Sequence, residues 1–292
     1  MALIATGELM AHAAADTGIG AFNVIHLETA EAIVAAAERA ELPVILQISQ
    51  NCVAYHGGLE PIGLACLSVA HASSARVAVH LDHAEDESLA RQAVDLGFGS
   101  VMFDAATLGY EDNVDATLRV VDYAHANDVY VEAELGEIGG KDGAHAPGVR
   151  TDPREAERFV AETGVDALAV AVGSSHAMAT REASLDLDLI ARLHGALDVP
   201  LVLHGSSGVP DETIVAAIGA GMTKINVSTH LNRFFTEAIR EYLAANPEVV
   251  DSRKYVRAGR DALSGEAERL LRLFARATAG GPAGAAGDGA TR

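Results

Sequence analysis

The chain has 292 residues, 49% of them hydrophobic, and its 41 acidic and 21 basic side chains give a formal net charge of -20. This acidic balance argues against nucleic-acid binding, because a phosphate backbone would be repelled. No apolar run approaches the roughly 20 residues of a membrane span, and no lysine or arginine precedes Arg39. We therefore expect a cytoplasmic protein without a leader. Cys52 and Cys66 are expected to be buried free thiols.

Short apolar, β-branched runs alternate with amphipathic windows along the chain, which is the pattern of a parallel sheet with crossover helices. Strands are predicted over residues 19–23, 44–48, 77–81, 100–103, 129–135, 167–172, 201–203 and 224–227. Helices are predicted over residues 28–40, 61–72, 87–95, 111–126, 153–163, 185–194, 211–220 and 231–246. Eight strand-helix units favour an α/β fold of one TIM (β/α)8 barrel, which leaves no sheet edge open.

The sequence continues beyond the last barrel unit. Residues 255–276 predict a further amphipathic helix, which either caps the barrel or meets a second subunit. We therefore expect residues 1–278 to form one barrel domain with an extra C-terminal helix. Residues 279–292 are rich in glycine and alanine and are expected to be a flexible tail.

Residues able to do chemistry collect where the predicted strands end. In parallel α/β folds the loops at this carboxyl edge build the active site. Asp82 and His83 end the third strand, while His176 and His204 follow the sixth and seventh. Three imidazoles from three strands, with one open position, are typical of catalytic zinc.

Carboxylates are predicted at the same edge. Asp104 follows the fourth strand and Glu134 lies near the end of the fifth, where they would complete the ligand set or hold a second cation.

A histidine taken singly is more often hydrogen-bonded or solvated than a metal ligand. The other histidines, including His80 and His230, are therefore interpreted as structural.

Two segments have the composition of a phosphate site. Glycines in HGSSG (204–208) let backbone amides approach an anion, and the serines add donors. Ser228 and Thr229, which begin the helix after Asn226, either cap that helix or bind the same phosphate. Both segments follow the last two strands, where barrels often bind phosphate.

Five motifs follow one another along the chain: HLDH (80–83), EAELGEIGG (132–140), AVGSSH (171–176), LVLHGSSGVP (201–210) and KINVST (224–229). Together they resemble the class II, metal-dependent ketose-bisphosphate aldolases. The likeness runs from residue 21 to residue 275. It implies the reversible cleavage of fructose or tagatose 1,6-bisphosphate to dihydroxyacetone phosphate and glyceraldehyde 3-phosphate. Such a reaction belongs to carbohydrate metabolism, for example glycolysis. It also implies a homo-oligomer, either dimer or tetramer.

The resemblance assigns a role to each site residue. It implies that His83, His176 and His204 hold zinc and that Asp82 is the acid/base at the substrate's C4 oxygen. Asp104 and Glu134 match carboxylates of a secondary position for a divalent or monovalent cation, and Glu134 also lies close to the catalytic metal. The Asn226 amide is expected to hold the enediolate. The other substrate-binding residues expected are Asn23, Ala177, Gly205, Ser206, Ser207, Val227, Ser228 and Thr229.

Three positions depart from the family pattern. Ala177 and Met178 follow His176 where relatives have glycine and an aromatic residue, so a phosphate contact there would rest on the backbone. In the glycine-rich loop, Asp142 stands where relatives carry glutamate. We expect it to carry the proton at the carbon of dihydroxyacetone phosphate, with Glu137 or water as the alternative.

The third departure leaves the substrate open. The pair at residues 232–233 lies where relatives vary with sugar preference, so another phosphorylated keto sugar or keto acid is an alternative. A zinc hydrolase would need a His-x-His pair on the first strand, where this chain has FNV (22–24). A non-catalytic subunit of an aldolase assembly is disfavoured, because such a protein would not need Asp82 or Asn226.

Overall fold

Eight parallel strands form a closed barrel in the computed structural model, which describes residues 3–11, 13, 17–136, 150–174, 181 and 183–275. Each strand pairs with the next along the chain, and the last pairs with the first. The predicted TIM barrel is confirmed. Its strands are β1 (Ile19–Asn23), β2 (Val44–Ser49), β3 (Val77–Ala84), β4 (Ser100–Phe103), β5 (Tyr130–Leu135), β6 (Ala167–Val170), β7 (Leu201–Leu203) and β8 (Met222–Val227).

The helices on the outside follow the predicted order, with two short additions. The helices α1 and α3 have only 6 and 7 residues, too few to show a helical period in the sequence. The helices are α1 (Thr6–Ala11), α2 (Leu27–Ala40), α3 (Gln50–His56), α4 (Leu59–Ala72), α5 (Glu87–Leu96), α6 (Tyr110–His125), α7 (Pro153–Thr163), α8 (Leu187–Ala196), α9 (Asp211–Gly219), α10 (Thr229–Ala245) and α11 (Ser252–Ala275).

The predicted C-terminal helix, α11, packs against its own barrel. Its apolar stripe, which includes Leu263, Leu271 and Phe274, is buried and contacts α2, α10 and β1. The Phe274 carbonyl accepts a hydrogen bond from the Gly18 amide just before β1. The stripe is therefore used within the chain. The predicted tail, 279–292, and the domain boundary at 278 lie outside the described residues.

The apolar core lies mainly between the barrel and its helices, where side chains from both layers form one large cluster. Cys52 and Cys66 belong to this core and are free thiols, as predicted. Burial raises the pKa of Cys52 to about 11 and that of Cys66 to about 12. Neither thiol is therefore a nucleophile at neutral pH.

The inside of the barrel is more polar than its outside. Because side chains alternate along a strand, every second residue of β3 points inward, and Ala78 lies in an inner apolar cluster. The next inward residue, His80, is 1% exposed, and its Nδ1 lies 2.7 Å from the Ser100 hydroxyl. Ser100 in turn lies 2.7 Å from the Thr6 hydroxyl of α1. Polar side chains therefore connect the floor of the barrel to its middle.

Burial, together with the neighbouring charge of Lys224, lowers the pKa of His80 well below its usual 6.5. Below about pH 6.5 the unfolded chain therefore binds a proton that the folded protein does not. The free energy of unfolding then falls by about 1.4 kcal/mol for each unit by which the pH is lowered. We expect His80→Gln to lose this part of the pH dependence in urea unfolding of chelator-treated protein. His71→Gln, which changes an exposed histidine, should keep it. Equal pH slopes for wild type and His80→Gln would contradict the prediction.

Candidate active site

Asp82 and His83 reach the same site because β3 is irregular at its end. Successive side chains of a regular strand point to opposite faces. Here the pairing of β3 with β4 shifts between Leu81 and Ala84, and His83 has a left-handed backbone with φ 50°. Such a bulge redirects a side chain. As a result, ligand atoms of Asp82, His83 and His204 lie within 4.8 Å of one another.

Two imidazoles face each other at the centre of this site. His83 Nε2 and His204 Nδ1 are 2.8 Å apart. On the other side of each ring, His83 Nδ1 lies 2.7 Å from Asp104 Oδ2 and His204 Nε2 lies 2.9 Å from Glu132 Oε1. If each ring donates to its carboxylate, both facing nitrogens are acceptors. Their close approach then requires a cation or a shared proton between them, so the residues fit a metal ion.

The predicted carboxylates Asp104 and Glu134 lie beside His83. Ligand atoms of these three residues also fall within 4.8 Å of one another, and Glu134 Oε2 is 4.0 Å from His83 Nδ1. Oxygen-rich groups of this kind suit a hard cation. The structure thus brings the predicted carboxylates next to the predicted imidazoles, with Asp104 also orienting the His83 ring.

Asp82 is held by a chain of amides. It is 3% exposed, its Oδ2 accepts from Asn23 Nδ2 at 3.0 Å, and Asn23 Oδ1 accepts from Gln47 Nε2 at 2.9 Å. Burial acts to raise the pKa of Asp82, but the charges of His83, His204 and Lys224 and the Asn23 hydrogen bond outweigh it, so the pKa lies below its usual value. Asp82 is therefore a carboxylate at neutral pH and can act as a base.

The two predicted phosphate segments lie side by side. Gly205 adopts a left-handed conformation with φ 66°, and the Ser206 hydroxyl donates to the Asn226 carbonyl. The Ser207 hydroxyl accepts from the Ser228 amide at 3.4 Å and the His230 amide at 3.2 Å. Ser228 makes no capping bond through its own side chain. The Ser207 hydroxyl instead accepts hydrogen bonds from the backbone amides at the start of α10.

Three predicted site residues have no structural account, since His176, Ala177 and Asp142 lie outside the described residues. The described part of the chain therefore supplies two of the three predicted imidazoles.

The family model for class II fructose-bisphosphate aldolases matches residues 5–279 of this sequence. The chain belongs to the class II fructose-bisphosphate aldolase family. It is therefore an aldolase, a carbon-carbon lyase. Among the described helices of this aldolase, none is both long and apolar enough to cross a membrane.

Individual relatives agree with the family. A fructose-bisphosphate aldolase from Geobacillus stearothermophilus is 42% identical over 260 residues, which cover 88% of this chain and 91% of the relative. The crystal structure of the YdjI aldolase from Escherichia coli K12 is similar with a TM-score of 0.82 at 32% identity, covering 95% and 99% of the two chains. A fructose-bisphosphate aldolase from Campylobacter jejuni shares the fold, with a TM-score of 0.76 at 23% identity and coverage of 93% and 95%.

Three polar residues of this aldolase site were not predicted from the sequence: Gln47, Glu132 and Lys224. Each is buried within a barrel strand. The signal was present in the alternation of the strands, because Glu132 lies two residues before Glu134 on β5 and Lys224 lies two residues before Asn226 on β8. A polar residue on the same face as a predicted site residue, inside an apolar run, faces the barrel interior and needs a partner there.

Proposed function

We propose that this aldolase uses zinc to cleave a ketose 1,6-bisphosphate, fructose or tagatose, to dihydroxyacetone phosphate and glyceraldehyde 3-phosphate, and to catalyse the reverse condensation. The observation that carries the proposal is the pair of facing imidazole nitrogens of His83 and His204, 2.8 Å apart, beside the Asp82 carboxylate. The family and the name of the Geobacillus relative support the choice of substrate.

His83 and His204 would hold the zinc ion, with His176 as the third ligand. Bound there, zinc supplies Lewis-acid polarisation of the substrate's ketone. The Asp82 carboxylate takes the proton from the C4 hydroxyl, and the bond between C3 and C4 breaks to release the aldehyde. The bonding electrons stay on the three-carbon fragment as an enediolate, which the Asn226 amide is proposed to hold. In condensation, Asp82 returns the proton to the C4 oxygen.

The remaining predicted residues are assigned to the substrate's phosphate and to a second cation. The glycine-serine segment at 205–207 and the segment at 226–229 bind the phosphate of dihydroxyacetone phosphate, a role that their contact through Ser207 supports. Asp104 and Glu134 supply a secondary cation position beside His83. The two buried free thiols support a cytoplasmic enzyme. A dimeric or tetrameric assembly stays a prediction.

The activity itself is tested by release of dihydroxyacetone phosphate from a panel of sugar phosphates, with and without a chelator. We expect turnover of fructose or tagatose 1,6-bisphosphate, complete loss with the chelator, and recovery with zinc. Borohydride should trap no substrate adduct, because Lys224, the barrel-strand lysine, is 1% exposed and paired with Glu132. Chelator-resistant turnover with an adduct on Lys224 would refute the metal mechanism, and turnover of a keto acid alone would change the substrate.

Asp82 and the imidazoles should respond differently to substitution. We expect Asp82→Ala to keep its zinc and to lose about 10²- to 10⁴-fold in rate, the usual contribution of a positioned acid/base. His83→Ala and His204→Ala should lose the metal, because each removes a ligand. Metal analysis of the purified variants, beside steady-state rates, separates the two roles. Metal-free Asp82→Ala protein would show that the roles were assigned wrongly.

Asp142 is proposed to carry the proton at the carbon of dihydroxyacetone phosphate. Exchange of that carbon-bound hydrogen with deuterated solvent isolates this step from cleavage of the carbon-carbon bond. We expect Asp142→Ala to slow the exchange by about 10²-fold, the low end for a lost acid/base, with unchanged zinc content. Glu137→Ala, which removes the other carboxylate considered for this step, is the matched control. Wild-type exchange in Asp142→Ala, or slow exchange only in Glu137→Ala, would reassign the proton carrier.

A further inference from the structure

A buried ion pair lies beneath the proposed metal position. Lys224 Nζ and Glu132 Oε2 are 2.7 Å apart, and the side chains are 2% and 1% exposed. Removing two charges from water costs several kcal/mol per ion, which mutual attraction offsets only with good geometry and further hydrogen bonds. Neither residue takes a step in the reaction proposed above. The pair therefore needs another explanation.

The carboxylate of Glu132 joins two partners across the barrel. Its Oε2 accepts from Lys224 on β8, while its Oε1 lies 2.9 Å from Nε2 of His204, which follows β7. Lys224 Nζ also lies 3.4 Å from Nε2 of His80, so the ammonium is held from a second side. The contact of Oε2 with Lys224 holds the carboxylate with its other oxygen towards His204.

Two neighbours compete for the same nitrogen of His204. Glu132 Oε1 can only accept a hydrogen, whereas the Asn226 amide nitrogen can only donate one and lies 3.0 Å from His204 Nε2 and 3.5 Å from its Nδ1. The contact with Glu132 requires hydrogen on Nε2, whereas donation from Asn226 to Nε2 would require it on Nδ1. A hydrogen bond to a charged carboxylate is about twice as strong as one between neutral groups. The contact with Glu132 therefore prevails, which leaves Nδ1 as the acceptor that faces His83.

We propose that Glu132, locked in place by Lys224, is a positioning residue that fixes the tautomer and ring plane of His204, so that Nδ1 faces the metal position. This inference rests on the proposed metal-dependent function. It explains why a buried lysine lies in the barrel of an aldolase that is proposed not to form a Schiff base. The role of Lys224 is to orient Glu132, and the role of Glu132 is to orient the imidazole.

The first test needs no metal. Nitrogen-15 NMR of the histidine rings in chelator-treated wild-type protein, with His204 assigned by comparison with His204→Gln, should show hydrogen on Nε2. In Glu132→Gln, Lys224 should hold the amide oxygen of the new side chain and turn its NH2 group towards His204. The hydrogen of His204 should then move to Nδ1. Hydrogen on Nδ1 in the wild type would overturn the proposal.

The second test measures zinc affinity by competition with a chelator of known affinity. Glu132→Gln should bind zinc about 10- to 100-fold more weakly, the usual effect of losing the partner of a ligating histidine. In the double variant Glu132→Gln/Lys224→Met the amide is free to turn its oxygen to His204, so much of the affinity should return. That recovery separates orientation from general damage to the fold.

A matched control lies elsewhere in the chain. Glu266 Oε1 is 2.6 Å from His230 Nε2 in a similar pair, whose side chains are 6% and 12% exposed, and Glu266→Gln should leave zinc affinity unchanged. Wild-type affinity in Glu132→Gln, or no recovery in the double variant, would refute the role of the ion pair. A wild-type protein that binds no zinc would instead refute the proposed function, while the tautomer measurement would still test Glu132.

Discussion

Two hydrogen bonds between an imidazole and a carboxylate, from His83 to Asp104 and from His204 to Glu132, are the contacts on which this site depends. Each bond fixes which ring nitrogen faces the centre and in which plane. The partners come from β3, from β5 and from the segments that follow β4 and β7, so neither bond could form within one strand-helix unit. The closed parallel barrel brings all of these segments together.

The barrel tolerates this polar centre because its stability arises elsewhere. The large apolar cluster lies outside the strands, where helices cover them, and the inner apolar clusters are small. Between the inner clusters, side chains from Thr6 to His204 form a continuous polar path. Buried polar groups of this kind require complete hydrogen bonding, and in return they hold one arrangement of the site rather than several.

The fold could be predicted almost entirely from the sequence, because the alternation of strands and helices is a local signal repeated eight times. The bounds of β1, β4 and β7 agree with the prediction, as do those of α7. The extra length of β3, by contrast, depends on a bulge against β4, and nothing in its own residues indicates a pairing with a neighbour. The short helices α1 and α3 have too few residues for a periodic pattern.

Prediction of the site had a different limit. Asp82, His83, His204, Asp104 and Glu134 were identified because metal-ligand residue types at strand ends and the family motifs both indicate them, and the structure groups them. Gln47, Glu132 and Lys224 were missed, because their function depends on partners across the barrel. A buried glutamate is understandable only when the lysine and histidine on its two sides are known. Strand alternation indicates that such residues face inward, but only the closed barrel shows which partners they meet there.

The seam between β1 and β8 has a consequence for how this protein is made. The seam joins the first strand of the chain to the last, and α11, the final described helix, packs on β1. Because these contacts link the two ends of the sequence, they form late and are slow to find. During synthesis on the ribosome, β1 must wait with one edge exposed until β8 has emerged. A nascent chain stalled before β8 would therefore present an open sheet edge, which is prone to pair with other chains.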